Sequence, residues 1–373
     1  MEVIIRKTGK LPIECKKNNS KPTNQNILMP TPREIVHQTL NFENPIRAPR
    51  DMWDLPLNKW KYPEVFEELE RDFPKDMFTV DPQFKTPLKT KGDPYEIGQF
   101  TDTWGCVFEN INRGLIGEVK NPPVKDWSTD LGKIRIPTEW LTIDRDAVNR
   151  QCAGTDRFVI YGHAPRPFEQ LQFIRGTADL YMDLMDPCDE LIDFMKKMHD
   201  FHCEYISLWA KTDVDGVFFF DDWGSQISLL VSPALWRRYF KPMYRDFVQI
   251  AHSAGKKVFM HSDGYILDIL PELIEVGVDA INSQIFCMPF EKLEQFAGKI
   301  TFWGEIDRQN LLVNGTKEQI DEAVRKVHKH LWKKGGCFAH CSFDAGSKPE
   351  NVRQVYESWE SIFAAKGSII NHG

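Results

Sequence analysis

The residues best suited to catalysis or metal binding lie near the end of a short apolar run at 258–260, where His261 and Asp263 follow. The two side chains are two positions apart, so on an extended chain they point to the same side. Together with Cys341 from the last predicted strand, they offer three ligands and leave one position open, as a catalytic zinc ion requires. The alternative is that His261 and Asp263 take part only in hydrogen bonds. The short H-x-D pattern does not decide between the two.

Two pairs of carboxylates follow other apolar runs. Asp221 and Asp222 are adjacent on a predicted strand and point to opposite faces, so at most one faces a pocket while the other caps the next turn. We assign Asp222 to proton transfer and Asp221 to substrate binding. Glu305 and Asp307 point to the same side, and Glu305 is a candidate general base. Arg308 beside them equally favours a structural ion pair.

Further polar and aromatic side chains complete the candidate site. His163 follows a predicted strand and is a candidate acid/base group, with a loop-stabilising histidine as the alternative. Five residues near strand ends are assigned to substrate binding. They are Tyr161, Trp223, Gln226, Gln284 and Trp303. For the aromatic members, packing in the core is the alternative.

The elements that position these residues are short apolar runs alternating with amphipathic helices. We predict eight strands, at 48–53, 77–80, 158–161, 216–220, 258–260, 280–283, 300–303 and 337–340. The polar residues named above fall at the C-terminal ends of these strands, where (β/α)₈ barrels place their catalytic groups. The sequence therefore predicts an α/β fold with a single TIM barrel. A doubly wound sheet is the alternative.

The remaining segments divide the chain around this barrel. Residues 1–30 are polar and poorly patterned, which predicts a flexible N-terminal arm before a barrel at 31–373. Residues 84–150 are irregular and rich in Pro, Gly and Trp, with a stretch of alternating polarity that indicates a β-hairpin. A loop of this length is uncommon unless it is functional, so we expect the insertion to cover the active face.

Composition excludes several classes of protein. The chain has 42% hydrophobic and 27% charged residues, as expected of a globular protein, and a net charge of -7 that gives no basic footprint for nucleic acid. No apolar run is long enough to cross a membrane, and no signal peptide is evident. Eight cysteines without framework spacing favour reduced thiols and a cytoplasmic location. The sequence leaves a homodimer open.

At these residues the sequence resembles the uroporphyrinogen decarboxylase superfamily. The resemblance covers residues 31–362 and rests on five stretches in the same order. They are TPREIVHQTLNFENPIRAP, VDGVFFFDDWGSQISLLVSPALWRRYFKP, HSAGKKVFMHSDGYILDILPELIEVGVDAINSQ, FWGEIDRQNLLVNGTKEQI and GGCFAHCSFDAGSKPENV. The resemblance implies a single (β/α)₈ barrel and one of two chemistries.

One branch decarboxylates uroporphyrinogen without a cofactor, and its members resemble one another in an arginine-bearing N-terminal loop. Here the corresponding stretch reads APRDMWDLPL, and Cys341 holds the position of their histidine. The other branch comprises cobalamin-dependent methyltransferases, whose zinc pattern is H-x-C with a later Cys. This chain is similar, with His261, Asp263 in place of the first Cys, and Cys341. A carboxylate in that position makes the site harder and the ion more Lewis acidic.

The resemblance therefore implies a methyltransferase that moves a methyl group from a small donor to the cob(I)alamin of a corrinoid partner protein. Zinc assists the transfer, and the donor is expected to be a methyl ether such as an aromatic methoxy compound, with the aromatic insertion as its apolar wall. Two alternatives stay open. One is a uroporphyrinogen-type decarboxylase, for which Arg50, Arg166, Arg175 and Arg308 are the candidate carboxylate partners. The other is a binding barrel without catalysis.

Overall fold

The protein is described from a computed structural model, which covers residues 29–161 and 165–370. The predicted arm up to residue 28 and His163 lie outside the described residues. The strands are β1 Arg50–Asp54, β2 Met77–Val80, β3 Gly98–Thr101, β4 Val107–Asn110, β5 Phe158–Tyr161, β6 Gly216–Phe220, β7 Lys257–Ser262, β8 Ala280–Ser283, β9 Thr301–Phe302 and β10 Ala339–Phe343.

Helices connect these strands. They are α1 Pro32–Leu40, α2 Pro56–Lys61, α3 Pro63–Asp72, α4 Trp127–Asp130, α5 Arg145–Ala153, α6 Pro167–Arg175, α7 Thr177–Met185, α8 Asp189–Ala210, α9 Pro233–Tyr239, α10 Lys241–Ser253, α11 Leu270–Val276, α12 Phe290–Leu293, α13 Leu311–Asn314, α14 Lys317–Leu331 and α15 Pro349–Ile370. Among the described residues, no helix is both long and apolar enough to span a bilayer.

Eight of the strands are parallel and follow one another as in a TIM barrel. Six pair in the order β2-β5-β6-β7-β8-β9, and β1 pairs with β10. The predicted strands and their order are thus confirmed, although β7 and β10 extend beyond their predicted ends. Polar residues that follow these strands are brought to one mouth of the barrel because parallel strands end on the same side.

Short hydrogen-bonded contacts join the two groups of strands at their seams. At one seam, Phe302 donates to the carbonyl oxygen of Gly336 at 2.8 Å and accepts from the backbone nitrogen of Phe338 at 3.1 Å. At the other, the backbone nitrogen of Asp76 donates to the carbonyl oxygen of Arg50 at 2.8 Å. The eight parallel strands therefore form a ring whose weakest pairing lies between β1 and β2.

Local sequence signals explain where helices begin and break. Thr31 caps α1 with Glu34 in a capping box, and Pro32 takes the first helical position. Helices α9 and α10 meet at Phe240, and Pro242 lies in the first turn of α10. Proline at this position has no backbone N–H to donate and clashes with the preceding turn, so the helix restarts there.

The insertion at 84–150 contains the predicted hairpin. Strands β3 and β4 are antiparallel, with Phe100 opposite Phe108. Helix α7, which no sequence pattern predicted, follows α6 after Gly176 at a positive φ of 90°. The insertion lies against α6, since Phe108 and Phe173 pack edge to face with ring centroids 5.0 Å apart.

The β1–β2 seam gives a test of the fold. Asp76 is 1% exposed, accepts two bonds from Arg47 at 2.6 and 2.8 Å, and also binds the backbone nitrogen of Arg50. We expect Asp76→Ala to lower the free energy of unfolding by roughly 3–5 kcal/mol, because it leaves a largely buried guanidinium without its partner. Denaturant titration measures this change.

The control is Asp72→Ala, which removes carboxylate contacts to Arg71 and Arg353 at the surface. Exposed ion pairs contribute little to stability, so a much smaller change is expected. Equal effects of the two substitutions would contradict a special role for Asp76 at the seam.

Candidate active site and metal-binding cluster

Three side chains meet where β6 and β7 open into the mouth of the barrel. Asp222, His261 and Asp263 each offer one ligand atom, and these atoms all lie within 4.8 Å of one another. The Nε2 atom of His261 is 3.3 Å from Oδ1 of Asp222 and 3.5 Å from Oδ1 of Asp263. The register of β6 and β7 explains why these side chains meet. Phe220 pairs with His261, and a carboxylate follows each of them two residues later, Asp222 after Phe220 and Asp263 after His261.

Hydrogen bonds fix the orientation of the imidazole. Asn282 on β8 donates from Nδ2 to the carbonyl oxygen of Trp303 at 2.5 Å, so its Oδ1 is left as an acceptor. This oxygen lies 2.6 Å from Nδ1 of His261, which therefore donates. Nε2 is then directed at the two carboxylates, and a histidine held in this way by its other nitrogen is preorganised to bind a metal ion.

The charges in the cluster shift one another. Burial lowers the pKa of His261, but the hydrogen bond and charge of Asp222 and the charges of Asp263 and Glu305 outweigh it and raise the pKa to about 9. Burial acts to raise the pKa of Asp222, yet the pKa is lowered because His261 donates to this carboxylate. Without a bound cation, the imidazole is therefore held as a cation between two carboxylates.

Arg308 organises the far side of the cluster. Its guanidinium binds Oδ2 of Asp263, lies 3.2 Å from Glu305 and 3.3 Å from Asp344. These contacts leave Oδ1 of Asp263 buried and without a hydrogen-bond partner among the described residues. That oxygen is the one closest to His261, so Arg308 turns the free oxygen of Asp263 towards the cluster.

Two glutamates, the buried Glu305 and the half-buried Glu169, flank the cluster with free carboxyl oxygens. Glu305 is 2% exposed, and Glu169 lies in the first turn of α6. Within the described part of the chain, Oε2 of each has no hydrogen-bond partner. Burial raises the pKa of each to about 7, against the opposing charges of Arg308 and Arg166 respectively. Both can exchange a proton near neutral pH. The sequence analysis missed Glu169, whose one signal was its place in the first turn after β5.

Asp221 has a structural role, which corrects its assignment to substrate binding. It is fully buried and accepts the backbone N–H groups of Phe168 and Glu169 at 2.8 and 2.9 Å, and the hydroxyl of Tyr244 at 2.6 Å. The carboxylate therefore caps the N-terminus of α6. The prediction that the two members of the pair face opposite ways is confirmed, but Asp221 caps the N-terminus of α6 and not the turn that follows β6.

The structure also corrects the predicted ligand set. Cys341 is fully buried, and its thiol donates to the hydroxyl of Tyr356 on α15 at 3.6 Å. Its neighbour His340 points to the other face of β10, where its ring packs against Trp53 inside the barrel. Side chains alternate along a strand, so Cys341 lies between the sheet and the outer helices and cannot join His261. Asp222 takes the third place.

Three aromatic residues assigned to substrate binding belong to the core. The ring of Tyr161 stacks on Trp209 of α8 with centroids 4.7 Å apart, and Trp223 stacks on Phe168 at 3.9 Å. Trp303 lies inside the barrel, where Nε1 donates to Asp51 at 2.8 Å. All three side chains are at most 1% exposed. Packing in the core, which was the alternative for each of them, therefore replaces the assignment to substrate binding.

Gln226 and Gln284 border a polar cavity beside Glu305. Nε2 of Gln226 donates to Oε1 of Gln284 at 3.2 Å, and the Cys287 thiol donates to Oε1 of Gln226 at 3.2 Å. The cavity has a volume of about 240 Å³ and is also lined by Arg308. The positions of the two glutamines are compatible with contact to a ligand at the mouth, on the β8–β9 side of the cluster.

A second, larger cavity of about 450 Å³ lies on the β5–β6 side, beneath the insertion. Its walls are rich in aromatic residues. The aromatic residues contributed by the insertion and α6 are Tyr95, Phe100, Trp104, Phe108, Trp140 and Phe173. Arg166 and Phe220 line it too, and the ring of Phe220 is 6.2 Å from that of His261. Phe220 thus lies next to both the cavity and the cluster.

The cluster fits a divalent cation, as judged from its donors. One neutral imidazole nitrogen and two carboxylate oxygens are a ligand set that zinc accepts, and a three-residue set leaves a position open. The buried free oxygen of Asp263 and the fixed Nε2 of His261 are what such an ion needs. The set contains no thiolate, so it is harder than the one predicted from the sequence.

A parallel eight-stranded barrel with buried acid/base groups at the C-terminal ends of its strands is the arrangement of a TIM-barrel enzyme. A family model named Uroporphyrinogen decarboxylase (URO-D) matches residues 110–361, about two thirds of the 373 residues. The chain belongs to this family, as its sequence motifs suggested. A search of curated proteins found no match.

Solved structures resemble the chain, and one of them, with a TM-score above 0.5, shares its fold. A methyltransferase from Methanosarcina mazei is 13% identical, with a TM-score of 0.62, and the match covers 90% of this chain and 99% of that one. A glycoside hydrolase family 10 endo-β-1,4-xylanase from Gloeophyllum trabeum is 9% identical, with a TM-score of 0.40 over 86% and 98% of the chains. A type I 3-dehydroquinate dehydratase from Clostridium difficile is 7% identical, with a TM-score of 0.30 over 59% and 88%.

The raised pKa of His261 predicts a pH dependence of stability in metal-free protein. A folded-state pKa of about 9, above the ordinary 6.5, means that the folded state binds the proton more tightly. The resulting stabilisation is fully present below pH 6.5 and is lost as the pH rises to about 9. The stability difference between the native protein and His261→Gln should therefore shrink across this window in denaturant titrations.

Asp222→Asn serves as the comparison, because it removes the group that does most to raise this pKa. In that variant the stabilising contribution of His261 should disappear at lower pH. A stability difference between native protein and His261→Gln that grows with pH would contradict the assignment.

The corrected ligand set is tested by metal binding. Asp222→Asn and His261→Gln should each weaken Zn²⁺ binding by more than about tenfold, because the first removes the negative charge of a ligand and the second removes the imidazole nitrogen. Cys341→Ala should bind Zn²⁺ like the native chain. Equilibrium dialysis with metal analysis measures all three. Loss of zinc in Cys341→Ala with retention in Asp222→Asn would restore the ligand set predicted from the sequence.

Proposed function

We propose that the protein is a methyltransferase that moves a methyl group from a small methylated donor to the cob(I)alamin of a corrinoid partner protein. The observation that carries the proposal is the cluster of Asp222, His261 and Asp263 beside an aromatic cavity. Such a donor has one reacting oxygen or similar atom and an apolar body, and the mouth offers a place for each.

The cluster supports activation of the donor. Asp222, His261 and Asp263 would hold a zinc ion, which when bound acts as a Lewis acid on the oxygen that leaves with the ring. Asn282 keeps Nε2 of His261 directed at the open space. Arg308 binds one oxygen of Asp263 and leaves the other free, so the ligand geometry is set before any ligand enters.

The two cavities support the choice of donor. The cavity of about 450 Å³ has aromatic walls and is large enough for a substituted ring, which favours a methoxylated aromatic compound. Glu305 lies on the polar side of the cluster, and because burial raises its pKa to about 7, it can deliver the proton that the product oxygen needs.

The charge of the mouth argues against the decarboxylase alternative, which requires a basic pocket for several carboxylates. Arg50 binds Glu360, and Arg175 binds Asp183, so neither is available. Arg308 is shared among three carboxylates. Arg166 is then left to balance a polyacid in a mouth already rich in Asp and Glu.

The solved methyltransferase from Methanosarcina mazei is 13% identical, a level at which likeness reports the fold. The proposal therefore depends on the residues of this site. It extends to a soluble corrinoid protein as the partner, which would have to reach the mouth between the two cavities to receive the methyl group.

The test is methyl transfer from methoxylated aromatic compounds to cob(I)alamin, followed by the absorbance change on methylation. The native protein with Zn²⁺ should turn over at least one such donor. His261→Gln and Glu305→Gln should lower kcat/KM by roughly 10²–10⁴-fold, as expected for loss of a reacting group. Cys341→Ala, which changes a thiol outside the cluster, should remain active.

Decarboxylation of uroporphyrinogen by the metal-free protein would contradict the proposal and favour the alternative. Binding of a methoxylated compound with no transfer to cob(I)alamin under any metal condition would contradict it as well, and would favour a binding barrel without catalysis.

A further inference from the structure

Arg166 lies beside the aromatic cavity and near Glu169, one of the acids that flank the cluster. It lines the cavity, and its guanidinium carbon lies 3.9 Å from the centroid of the Phe220 ring. On the other side, its charge acts on Asp222 and Glu169 and shifts their ionisation. The guanidinium therefore lies next to the cavity and close enough to Asp222 and Glu169 for its charge to act on both.

The guanidinium has hydrogen-bonding capacity to spare. Its closest carboxylate contact is to Oε2 of Glu169 at 3.9 Å, which is beyond hydrogen-bond length, and it forms no hydrogen bond to another described residue. Arginine offers five N–H donors. The acid in the lining of the cavity, Asp102, is already bound by backbone N–H groups and by Gln170. Arg166 is thus the group in this cavity that is equipped to receive an anionic oxygen.

We propose that Arg166 is a catalytic residue that binds the ether oxygen of an aryl methyl ether and stabilises the aryloxide formed from it. This inference rests on the proposed function for its reaction and on the cavity for its ligand class. The ring lies between the aromatic walls, and the oxygen to which the methyl group is attached is directed to the guanidinium.

The step balances as follows. The bond between oxygen and the methyl carbon breaks, and its electron pair stays on oxygen as the aryloxide. The methyl carbon forms its new bond with the electron pair of the low-valent nucleophile that the partner carries. Arg166 keeps its own proton and donates a hydrogen bond whose strength increases as negative charge develops. A fixed donor of this kind acts on the transition state more than on the neutral ether.

Binding measures this preference without any methyl transfer. Trp104 and Trp140 line the cavity, so a nitroaromatic ligand that enters it should quench their fluorescence. We would titrate the whole protein with 4-nitrophenolate and with its methyl ether, 4-nitroanisole. A charge-assisted hydrogen bond should make the phenolate bind roughly 10- to 100-fold more tightly.

Arg166→Gln should abolish the preference while changing the affinity for 4-nitroanisole by less than about threefold, because the ring contacts are kept. The matched control is Arg113→Gln. Arg113 also stacks on an aromatic ring, that of Trp60 at 4.7 Å, but it lies outside the cavity. It should leave both affinities unchanged. Phe100→Ala should weaken both ligands equally, which checks that they occupy the cavity.

Equal affinity of the native protein for phenolate and ether would overturn the proposal, as would an Arg166→Gln variant that keeps the preference. In the transfer assay, Arg166→Gln should lower kcat more than it raises KM, a split that a merely structural role would not produce. A phenolate preference lost in Arg166→Gln, in a protein that transfers no methyl group, would sink the proposed reaction and leave the aryloxide site standing.

Discussion

His261 lies between the carboxylates of Asp222 and Asp263, and the rest of the site depends on how this charge is balanced. Nδ1 of the imidazole is hydrogen-bonded to Asn282, and this bond directs Nε2 at the two carboxylates. Arg308 satisfies one oxygen of Asp263 and leaves the other free. A cation is needed between these groups, and it is supplied either by the proton of the imidazolium or by a metal ion.

The same balance explains why neighbouring acids behave differently. Asp222 is ionised because His261 donates to it, whereas burial raises the pKa values of Glu169 and Glu305 to about 7. Carboxyl groups close together in the mouth therefore differ in ionisation, with Asp222 charged and Glu169 and Glu305 able to exchange a proton near neutral pH. An additional anion from a substrate is stabilised best beside a cation whose N–H groups are not already used in hydrogen bonds to the described residues. Arg166 is such a cation.

The barrel makes this arrangement possible because it brings residues from distant parts of the chain together at one end. Asp222 follows β6, His261 lies on β7 and Glu305 follows β9. The N-terminal end of α6 adds Glu169 beside them. The two cavities on either side of the cluster give it an aromatic neighbour and a polar neighbour. Donor and acceptor of a transferred group need two such approaches, which is how the fold and the proposed reaction correspond.

The sequence by itself determined the barrel strands, the hairpin in the insertion, and the placement of His261 and Asp263 at a strand end, because apolar period and turn residues act over short distances. It also predicted that Asp221 and Asp222 face opposite ways. It did not decide which pocket residue completes the ligand set, and Cys341 was the wrong choice. Which side chains of a strand point into the barrel is decided only when the strand pairs with both of its neighbours. In β10 this pairing directs Cys341 outward. Arg166 and Glu169 lie at the N-terminal end of α6. Their approach to the cluster depends on how α6 packs against β6, and this packing is set by contacts between segments that are distant in the sequence.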